Sequence, residues 1–244
     1  MNILIDGDIL CYTVSAAVEK PVDWGNDFWT LHSDFAEAKQ RIDVDIVEFV
    51  ETLGGTSFTV CLSDSQNFRK SIYPEYKANR ANVRKPVVFA ALRDYLIETW
   101  DCVFWPRLEA DDVMGILATT KKDSVIVSAD KDLRTVPGRV YNPSKPDLGI
   151  VEVTEAEADR SHLIQTLTGD RTDGYPGCPG IGPARAEKIV DGGWEAVVEA
   201  FVKAGLNETV ALTQARMAHI LRKGEYNRKT GQVKLWAPRK VANV

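Results

Sequence analysis

The sequence contains few of the residues that bind soft metals or form disulfides. Its 244 residues include three histidines and four cysteines, and the cysteines form no CxxC pair, since they lie at Cys11, Cys61, Cys102 and Cys178. This scatter argues against a zinc ribbon and against the disulfide framework of a small secreted domain. A reduced, cytoplasmic setting is therefore expected.

Long apolar runs are missing as well. No apolar stretch approaches the roughly 20 residues that a membrane-spanning helix needs, and no basic segment precedes the apolar residues 3–5. We expect a soluble protein with no membrane partner and no targeting segment. With 44% hydrophobic residues, the chain can still bury one substantial core and carry a helical extension.

Positive charge is in deficit, since the formal net charge is −5. Such a total is unusual for a protein that binds nucleic acid, because Lys and Arg neutralise the phosphates. The basic residues are nevertheless concentrated. Residues 66–93 contain seven against one acid, Glu75, and residues 214–244 contain eight against Glu225. The distribution therefore keeps nucleic acid as a candidate partner.

Short apolar and β-branched runs alternate with longer stretches that suit helices. The runs lie at residues 3–5, 58–62, 103–105, 125–127 and 140–141. This alternation predicts an α/β fold with a mostly parallel central sheet and helices on both faces. Residues 34–53 have apolar side chains at helical spacing, and Thr154 with Glu157 predicts a capping box that starts a helix ending near Thr168.

The composition changes at Gly169. Five glycines and three prolines punctuate residues 169–183, which argues against regular structure there. Helical patterns follow at residues 184–190, 194–204 and 209–221. We therefore expect the α/β body to give way at this point to a smaller helical region.

Acidic residues follow the predicted strands at the end where a sheet collects functional groups. They are Asp6, Asp64, Glu109, Asp111, Asp112, Asp130 and Asp132, and Asp170 and Asp173 open the glycine-rich stretch. The carboxyl ends of parallel strands converge, so these side chains are expected to share one pocket. Like charges at close range raise one another's pKa values unless cations neutralise them. Carboxylates without His or Cys favour Mg²⁺ or Mn²⁺ over Zn²⁺, and two such ions about 3.5–4 Å apart suit hydrolysis at phosphorus.

A structural role is the competing interpretation of each acid. A lone Asp after a strand usually forms a turn or caps a helix. Residues 108–112, however, place three carboxylates at the start of an otherwise apolar helix, which favours a functional role for the set.

Two further segments indicate phosphate binding. Residues 68–80 predict a helix with Pro74 in its first turn, which would place Lys77, Arg80 and Arg84 on one face, with Tyr73 or Tyr76 free to stack on a base. A merely solvated basic face is the alternative. Residues 177–186 predict a glycine turn directly before a helix, where backbone N–H groups bind phosphate without regard to sequence.

Together these motifs resemble the flap endonuclease and 5′→3′ exonuclease superfamily, and most closely the 5′→3′ exonucleases of short-tailed lytic bacteriophages. The resemblance covers most of the chain, at residues 5–8, 63–65, 76–80, 108–115, 128–132, 169–174, 216–222 and 235–236. It implies the 5′ nuclease fold, which is similar to that of PIN domains, with an added helix-turn-helix element that binds duplex DNA.

The resemblance implies two Mg²⁺ sites, where Mn²⁺ is an alternative ion. The first would use Asp6, Asp64, Glu109, Asp111 and Asp112, and the second Asp130, Asp132, Asp170 and Asp173. Without these nine carboxylates the formal charge rises from −5 to +4, which fits a basic body around an acidic pocket. Asp111 and Asp112 are the predicted catalytic acids, and Lys77 and Arg80 match residues that hold the scissile phosphate below a helical arch.

The resemblance also implies how DNA is held. Gly180, Ile181 and Gly182 match a turn that grips the duplex and binds K⁺ through backbone carbonyls, within residues 177–184. The complete set of predicted DNA-binding residues is Arg69, Lys70, Tyr76, Lys77, Arg80, Arg84, Lys85, Gly180, Ile181, Gly182 and Arg185.

These inferences predict two regions and one activity. Residues 1–168 form the nuclease body with a basic arch segment at 66–93, and residues 169–244 form a helix-hairpin-helix-like DNA-binding region with C-terminal helices. The expected activity is 5′→3′ exonuclease cleavage of duplex DNA, and also of flaps and RNA–DNA hybrids, in phage replication and recombination within the bacterial cytoplasm. The stretch after Lys77 is short for a threading arch, so exonucleolytic trimming is favoured over flap cleavage.

Two other functions are compatible with parts of the pattern. A PIN-type ribonuclease shares the α/β body and acidic pocket but lacks the glycine turn of residues 169–186. A DNA-binding relative that has lost its metals would be expected to lose costly clustered carboxylates, yet all nine are present.

Overall fold

The computed structural model describes residues 1–121 and 123–239. Its central sheet has six strands, which are β1 (Asn2–Asp6), β4 (Ser57–Cys61), β5 (Cys102–Val103), β6 (Ser124–Val127), β7 (Gly138–Tyr141) and β8 (Ile150–Val153). They lie in the order β5-β4-β1-β6-β7-β8. All neighbouring strands pair in parallel except β8, which is antiparallel to β7. The predicted mostly parallel sheet is confirmed.

The centre of the sheet is buried on both faces, which explains why β1 and β6 contain continuous apolar runs. In β1, Ile3 and Ile5 face a core shared with three helices, α1 (Gly7–Val18), α2 (Phe35–Thr52) and α3 (Phe89–Thr99), while Leu4 faces the core of α4 (Ala110–Thr120). All three side chains are at most 1% exposed. Alternate residues point to opposite faces of a strand, so a strand covered on both sides needs apolar residues at every position.

Two predicted helix starts are confirmed in detail. The Asp34 carboxylate caps α2 by accepting from Ala36 N at 2.8 Å and Glu37 N at 3.2 Å. Thr154 and Glu157 form the predicted capping box of α5 (Glu155–Thr168), with each side chain accepting from the other's backbone N–H.

An antiparallel hairpin between α1 and α2 was not predicted. It consists of β2 (Glu19–Asp23) and β3 (Trp29–Ser33). Most of its residues are exposed, including Trp24, Phe28 and Trp29. An exposed hairpin lacks the apolar alternation that reveals a half-buried strand, which is why its pattern was uninformative.

The helical patterns predicted between residues 184 and 221 are confirmed as far as Ala218, and the short hairpin that follows was not predicted. This part of the chain contains α6 (Pro183–Ile189), α7 (Gly193–Lys203) and α8 (Glu208–Ala218), followed by the short strands β9 (Tyr226–Asn227) and β10 (Gln232–Val233). A third core joins these helices to the end of α5, with Leu167 and Phe201 fully buried. After α8 the chain returns to the α/β body, where Ile220 and Leu221 pack beside α4.

Across the described residues, no helix combines the length and the apolar character that a membrane crossing demands.

Candidate active site

The end of β1 places Asp6 at the centre of the acidic edge of the sheet. Asp6 is 3% exposed, caps α1 by accepting from Ile9 N at 3.0 Å, and accepts from Ser128 Oγ at 2.7 Å. Burial, together with the charges of Asp8 and Asp130, raises the pKa of Asp6 to about 7. A carboxylate in this position is costly without a cation nearby.

The neighbouring strand β6 contributes two more acids. Asp130 caps a 3₁₀ turn at Lys131–Thr135 by accepting from Asp132 N at 2.8 Å. Burial and the charges of Asp130 and Asp170 raise the pKa of Asp132 to about 6. Ser128, at the end of the same strand, links the two strands because its hydroxyl bonds Asp6 and also accepts from Asp130 N at 3.0 Å.

The first turn of α4 brings Asp111 to the same place. Burial raises the pKa of Asp111 well above its ordinary value, and the charges of Asp6 and Asp130 raise it further. Asp6, Asp111, Asp130 and Asp132 therefore form a like-charged group, in which each ionised member disfavours ionisation of its neighbours. The predicted convergence of acids that are distant in sequence is present for these four.

Glu109 has the opposite environment, although it is two residues from Asp111. Lys77 Nζ contacts Glu109 Oε1, Arg69 Nη1 lies 3.1 Å from Glu109 Oε2, and the Tyr76 hydroxyl donates to the same oxygen at 2.9 Å. Burial by itself would raise the pKa of Glu109, but the two cations outweigh it and lower that pKa to about 2.

Asp112 is bound entirely within the protein. Its side chain has no exposed surface and forms a two-pronged ion pair with Arg69, at 2.7 Å and 2.8 Å. Leu221 N donates to the same carboxylate at 3.1 Å. Arg69 also donates to Met217 O at 3.2 Å and His219 O at 2.6 Å, so the pair fastens the end of α8 to α4.

The glycine-rich stretch supplies the last two acids. Asp170 accepts from Thr172 N at 2.7 Å and Asp173 N at 3.1 Å, which folds residues 170–175 into a tight loop. Asp173 accepts from Arg80 Nη2 at 2.6 Å. Lys77 Nζ lies 3.6 Å from the other carboxylate oxygen of Asp173. Glu109, Asp112 and Asp173 thus form an ion-paired group beside the like-charged group.

Close backbone contact holds this loop against the basic segment. Lys77 N donates to Asp173 O at 2.7 Å, and Lys77 itself has a left-handed φ of 55°. A Cβ on Gly174 would lie 3.2 Å from Glu75 O, and Gly174 has a φ of 79°. Glycine at this position therefore allows the loop that carries Asp173 to approach Lys77 and Arg80 of the basic segment.

The predicted helix over residues 68–80 is wrong. The structure has two short 3₁₀ turns, Phe68–Ser71 and Ala78–Arg80, separated by an irregular stretch around Pro74. Lys77 and Arg80 lie together at the site, but Arg84 forms a two-pronged ion pair with Glu19 at 2.6 Å and 2.8 Å instead. Backbone contacts with the 170–175 loop, which no local pattern encodes, override the helical propensity of this segment.

Two predicted DNA-binding residues are buried. Arg69 and Tyr76 are each 2% exposed, and both are hydrogen-bonded to carboxylates, so neither is available to a phosphate or a base. Lys70 is exposed, and Lys85 lies 4.4 Å from the centre of the Phe89 ring. The prediction for Arg69 and Tyr76 is therefore corrected, whereas Lys70 and Lys85 remain accessible.

The two predicted ligands Asp64 and Asp112 make extensive contacts within the protein. Asp64 accepts from Arg107 N at 2.7 Å and from Ser65 N at 2.8 Å. Both backbone hydrogen bonds lower the pKa of Asp64, and the bond from Arg107 has the larger effect. Its carboxylate therefore fixes a turn. Asp112 is saturated by Arg69 and by backbone N–H groups. Both side chains are thus hydrogen-bonded within the protein, and their role as metal ligands stays a prediction.

Sequence reasoning missed Ser128 as a site residue, although it lies in a motif that supported the resemblance. A serine two residues before an aspartate is a common turn pattern, so the signal was present but not specific. Gln165, whose side chain hydrogen-bonds Asp132 from α5, carried no local signal.

The glycine turn lies at the far side of the 169–183 stretch. Gly180 has a φ of 75°, and a Cβ built on Gly180 or Gly182 would meet no atom within 4 Å. Ile181 is anchored in the third core, whereas Arg185 is exposed on α6. The backbone of Gly180 and Gly182 is therefore accessible, while the side chain of Ile181 between them packs in the third core.

Comparison with known proteins places this geometry in a family. Residues 2–156 match the family described as "5′-3′ exonuclease, N-terminal resolvase-like domain". The exodeoxyribonuclease of Enterobacteria phage T3 and the exonuclease of Escherichia phage T7 are each 31% identical to this chain, over 97% of this chain and 93% of the relative.

Solved structures show the same fold. The bacteriophage T5 D15 protein, crystallised with metal ions, superimposes with a TM-score of 0.62 at 13% identity, covering 89% of this chain and 88% of that one. A T5 D15 flap endonuclease bound to DNA and metal ions gives a TM-score of 0.63 at 12% identity, with the same coverage.

The fold and the family match define the class as a nuclease with the 5′ nuclease fold. The chain belongs to the 5′-3′ exonuclease family, and its full-length likeness is to the phage type.

Proposed function

We propose that this protein is a divalent-metal-dependent 5′→3′ exonuclease that hydrolyses phosphodiester bonds at the 5′ ends of duplex DNA. Flaps and RNA–DNA hybrids are further substrates, and phage replication and recombination are the setting. The observation that carries the proposal is the like-charged group, in which burial and neighbouring carboxylates raise the pKa values of Asp6, Asp111 and Asp132 more than Lys77 and Lys131 lower them.

The donor set fits hard divalent cations. The carboxylate oxygens of buried Asp6 and of half-buried Asp111, Asp130 and Asp132 match the ligand preference of Mg²⁺ and Mn²⁺. Among the residues that the structure describes, no three acidic, histidine or cysteine side chains already surround one point. Several oxygens instead face Ser128 or protein cations, so loading requires side-chain rotation.

We assign Asp6, Asp111, Asp130 and Asp132 as primary ligands. Asp170, Asp173 and Glu109 join them once Lys77 and Lys131 turn away, because Lys131 Nζ lies only 3.6 Å from Asp170. Asp64 and Asp112, which are hydrogen-bonded within the protein, stay predicted ligands. When bound, two divalent ions would supply an activated water and neutralise the charge of the leaving oxygen.

Lys77 and Arg80 are suited to hold the scissile phosphate. Burial would lower the pKa of Lys77, but Glu109 and Asp173 raise it above its ordinary value, so the amine stays charged. A substrate phosphate would compete with these carboxylates for Lys77. The side chains would then orient the phosphate against the acids at the sheet edge.

The helical region is proposed to grip the duplex. The open backbone of Gly180 and Gly182, with the exposed Arg185 behind it, offers a sequence-independent contact to a phosphate. The backbone carbonyl oxygens of residues 177–184 are the proposed ligands of a K⁺ ion.

Digestion of 5′-labelled duplex, flap, RNA–DNA hybrid and single-stranded RNA substrates tests the proposal, with Mg²⁺ in one arm and a chelator in the other. We expect cleavage from the 5′ end only in the Mg²⁺ arm. Cleavage confined to single-stranded RNA would replace the proposal with a PIN-type ribonuclease. DNA binding without turnover in Mg²⁺ or Mn²⁺ would replace it with a non-catalytic relative.

Matched lysine variants assign the phosphate contact. Lys77→Ala should lower the cleavage rate on the order of 10²-fold, because one charged donor is removed from the reacting phosphate. Lys121→Ala is the control, since Lys121 is exposed at the opposite end of α4. Equal rates for the two variants would remove Lys77 from the site.

A further inference from the structure

The C-terminal hairpin of β9 and β10 packs beside the loop that leads into α4. The Tyr226 ring stacks on the Trp105 indole, with centroids 5.8 Å apart and ring planes 6° apart. The Tyr226 hydroxyl donates to Pro106 O at 3.0 Å, and the Arg228 guanidinium lies 4.6 Å from the centre of the Trp105 ring. These contacts fix the hairpin next to the segment that carries Glu109.

Arg107 is held in a conformation that arginine rarely adopts. Its φ is 66°, and the backbone is retained there because Arg107 N donates to Asp64 Oδ2 at 2.7 Å and Arg107 O accepts from Phe68 N at 3.0 Å. A left-handed residue of this kind is kept where neighbouring groups impose it, often at functional positions. Through its bond to Arg107 N, Asp64 holds the exposed Arg107 in place two residues before Glu109.

The cations of this surface are exposed and unpaired. Arg107, Arg228, Lys229 and Lys234 are all exposed, and none has an ion-pair partner among residues 1–121 and 123–239. The acid of the hairpin, Glu225, is already engaged. It lies 2.8 Å from His219 Nε2 and accepts from Arg222 N at 2.7 Å.

The shape of the surface suits an extended polyanion. Residues 224–229 and 232–234 line an open hollow of about 680 Å³. Exposed, unpaired cations around an open hollow are features that bind a nucleic-acid backbone.

We propose that Arg107, Arg228, Lys229 and Lys234 bind the phosphodiester backbone of the DNA substrate. This inference rests on the proposed nuclease function and adds a contact separate from Lys77, Arg80 and the glycine turn. DNA is the partner that fits, because a strand engaged at Glu109 and Lys77 must leave across a neighbouring surface. On a chain of net charge −5, a surface of unpaired cations indicates the path of that DNA strand.

Salt-dependent DNA binding tests this surface. The dissociation constant of a 5′-labelled duplex is measured in chelator, where no cleavage occurs, across a range of salt concentrations. The variants are Arg107→Gly, which removes the cation while glycine accepts the left-handed backbone, and Arg228→Ala. Each phosphate that is no longer neutralised should reduce the slope of log Kd against log salt by about 0.9, so the double variant should show a reduction of about 1.8.

Two controls separate a local effect from a general reduction of charge. Arg107→Lys keeps the cation and should retain the wild-type slope. Arg41→Ala removes one exposed cation from α2, on the other side of the sheet, and should leave the slope unchanged. Unaltered thermal melting of each variant shows that it is folded.

The inference is overturned if the double variant keeps the wild-type slope, or if Arg41→Ala reduces the slope as much as Arg107→Gly does. A wild-type protein that cleaves and binds DNA, with variants of unchanged slope, refutes only this inference. A wild-type protein that does not bind DNA refutes the proposed function together with it.

Discussion

The like-charged group and the ion-paired group lie side by side, yet the protein treats their charges differently. Burial and mutual repulsion raise the pKa values of Asp6 and Asp132 to about 7 and about 6. Burial also acts on Glu109, but Lys77 and Arg69 lower its pKa to about 2. In the first group burial and repulsion therefore outweigh any compensating charge, whereas at Glu109 the cations of the chain outweigh burial.

This difference separates function from architecture within one pocket. Clustered carboxylates without partners are costly to folding and are kept where they bind an ion. The Arg69–Asp112 pair, in contrast, ties α4 to the carbonyls at the end of α8. Neighbouring acids in the sequence motif thus have different tasks.

The largest expected effect comes from breaking the ion-paired group. Arg69→Met should destabilise the protein by about 3–5 kcal/mol, because Asp112 would remain buried without its partner. Denaturant unfolding measures the decrease. The double variant Arg69→Met/Asp112→Leu should recover part of it, since no uncompensated charge remains. A single variant as stable as wild type would contradict the structural role of the pair.

In the like-charged group, Asp111→Asn should reduce cleavage without reducing folding stability. We expect cleavage in Mg²⁺ to fall on the order of 10²-fold or more, because a metal ligand is removed. Folding stability in chelator should stay equal or increase, because one repelling charge is gone. Asp147→Asn, at an exposed position, is the matched control. A decrease of stability in Asp111→Asn would place Asp111 with the ion-paired group.

The pH dependence of stability sharpens the comparison. The pKa of Asp6 is raised from 3.8 to about 7, so the folded state keeps a proton that the unfolded state releases. This contribution is present at low pH and is lost as the pH rises from about 4 to about 7. Melting in chelator should therefore show a decrease in stability toward neutral pH that Asp6→Asn makes smaller, with Asp111 and Asp132 contributing the remainder, and that Mg²⁺ offsets.

The pH dependence of stability that arises from His162 has the opposite sign. The informative quantity is therefore the difference between the stability profiles of the wild type and Asp6→Asn. Burial lowers the pKa of His162 to about 3, so its contribution is lost as the pH falls below about 6.5, where the unfolded histidine gains a proton. Subtracting the Asp6→Asn profile from the wild-type profile removes the histidine contribution. A difference that does not vary with pH would contradict the environment assigned to Asp6.

The smallest effect is expected outside both groups. Arg84→Ala breaks an exposed ion pair with Glu19 and should leave the cleavage rate unchanged, while Arg80→Ala, at a position bonded to Asp173, should lower it. Cleavage assays under one set of conditions compare the two. Equal decreases would restore the single basic stripe that the sequence pattern predicts.

Local patterns were sufficient for most of the α/β body. The buried strands were visible because a sheet covered on both faces requires uninterrupted apolar runs, and Asp34 and Thr154 marked helix starts through bonds to their own first turns. The exposed hairpin at Glu19–Ser33 had no such signal, because solvent imposes no pattern on its side chains.

By itself, the sequence determined that acids follow the strands and that parallel strand ends collect them, so the approach of Asp6, Asp111, Asp130 and Asp132 to one another was predictable. Only the tertiary structure decided which acids stay unpaired. Arg69 reaches Asp112 across 43 residues, and Arg80 reaches Asp173 across 93, so these partners are distant along the chain. Hydrogen bonds and ion pairs of that range depend on how whole elements pack. No local pattern of charge or hydrophobicity specifies them.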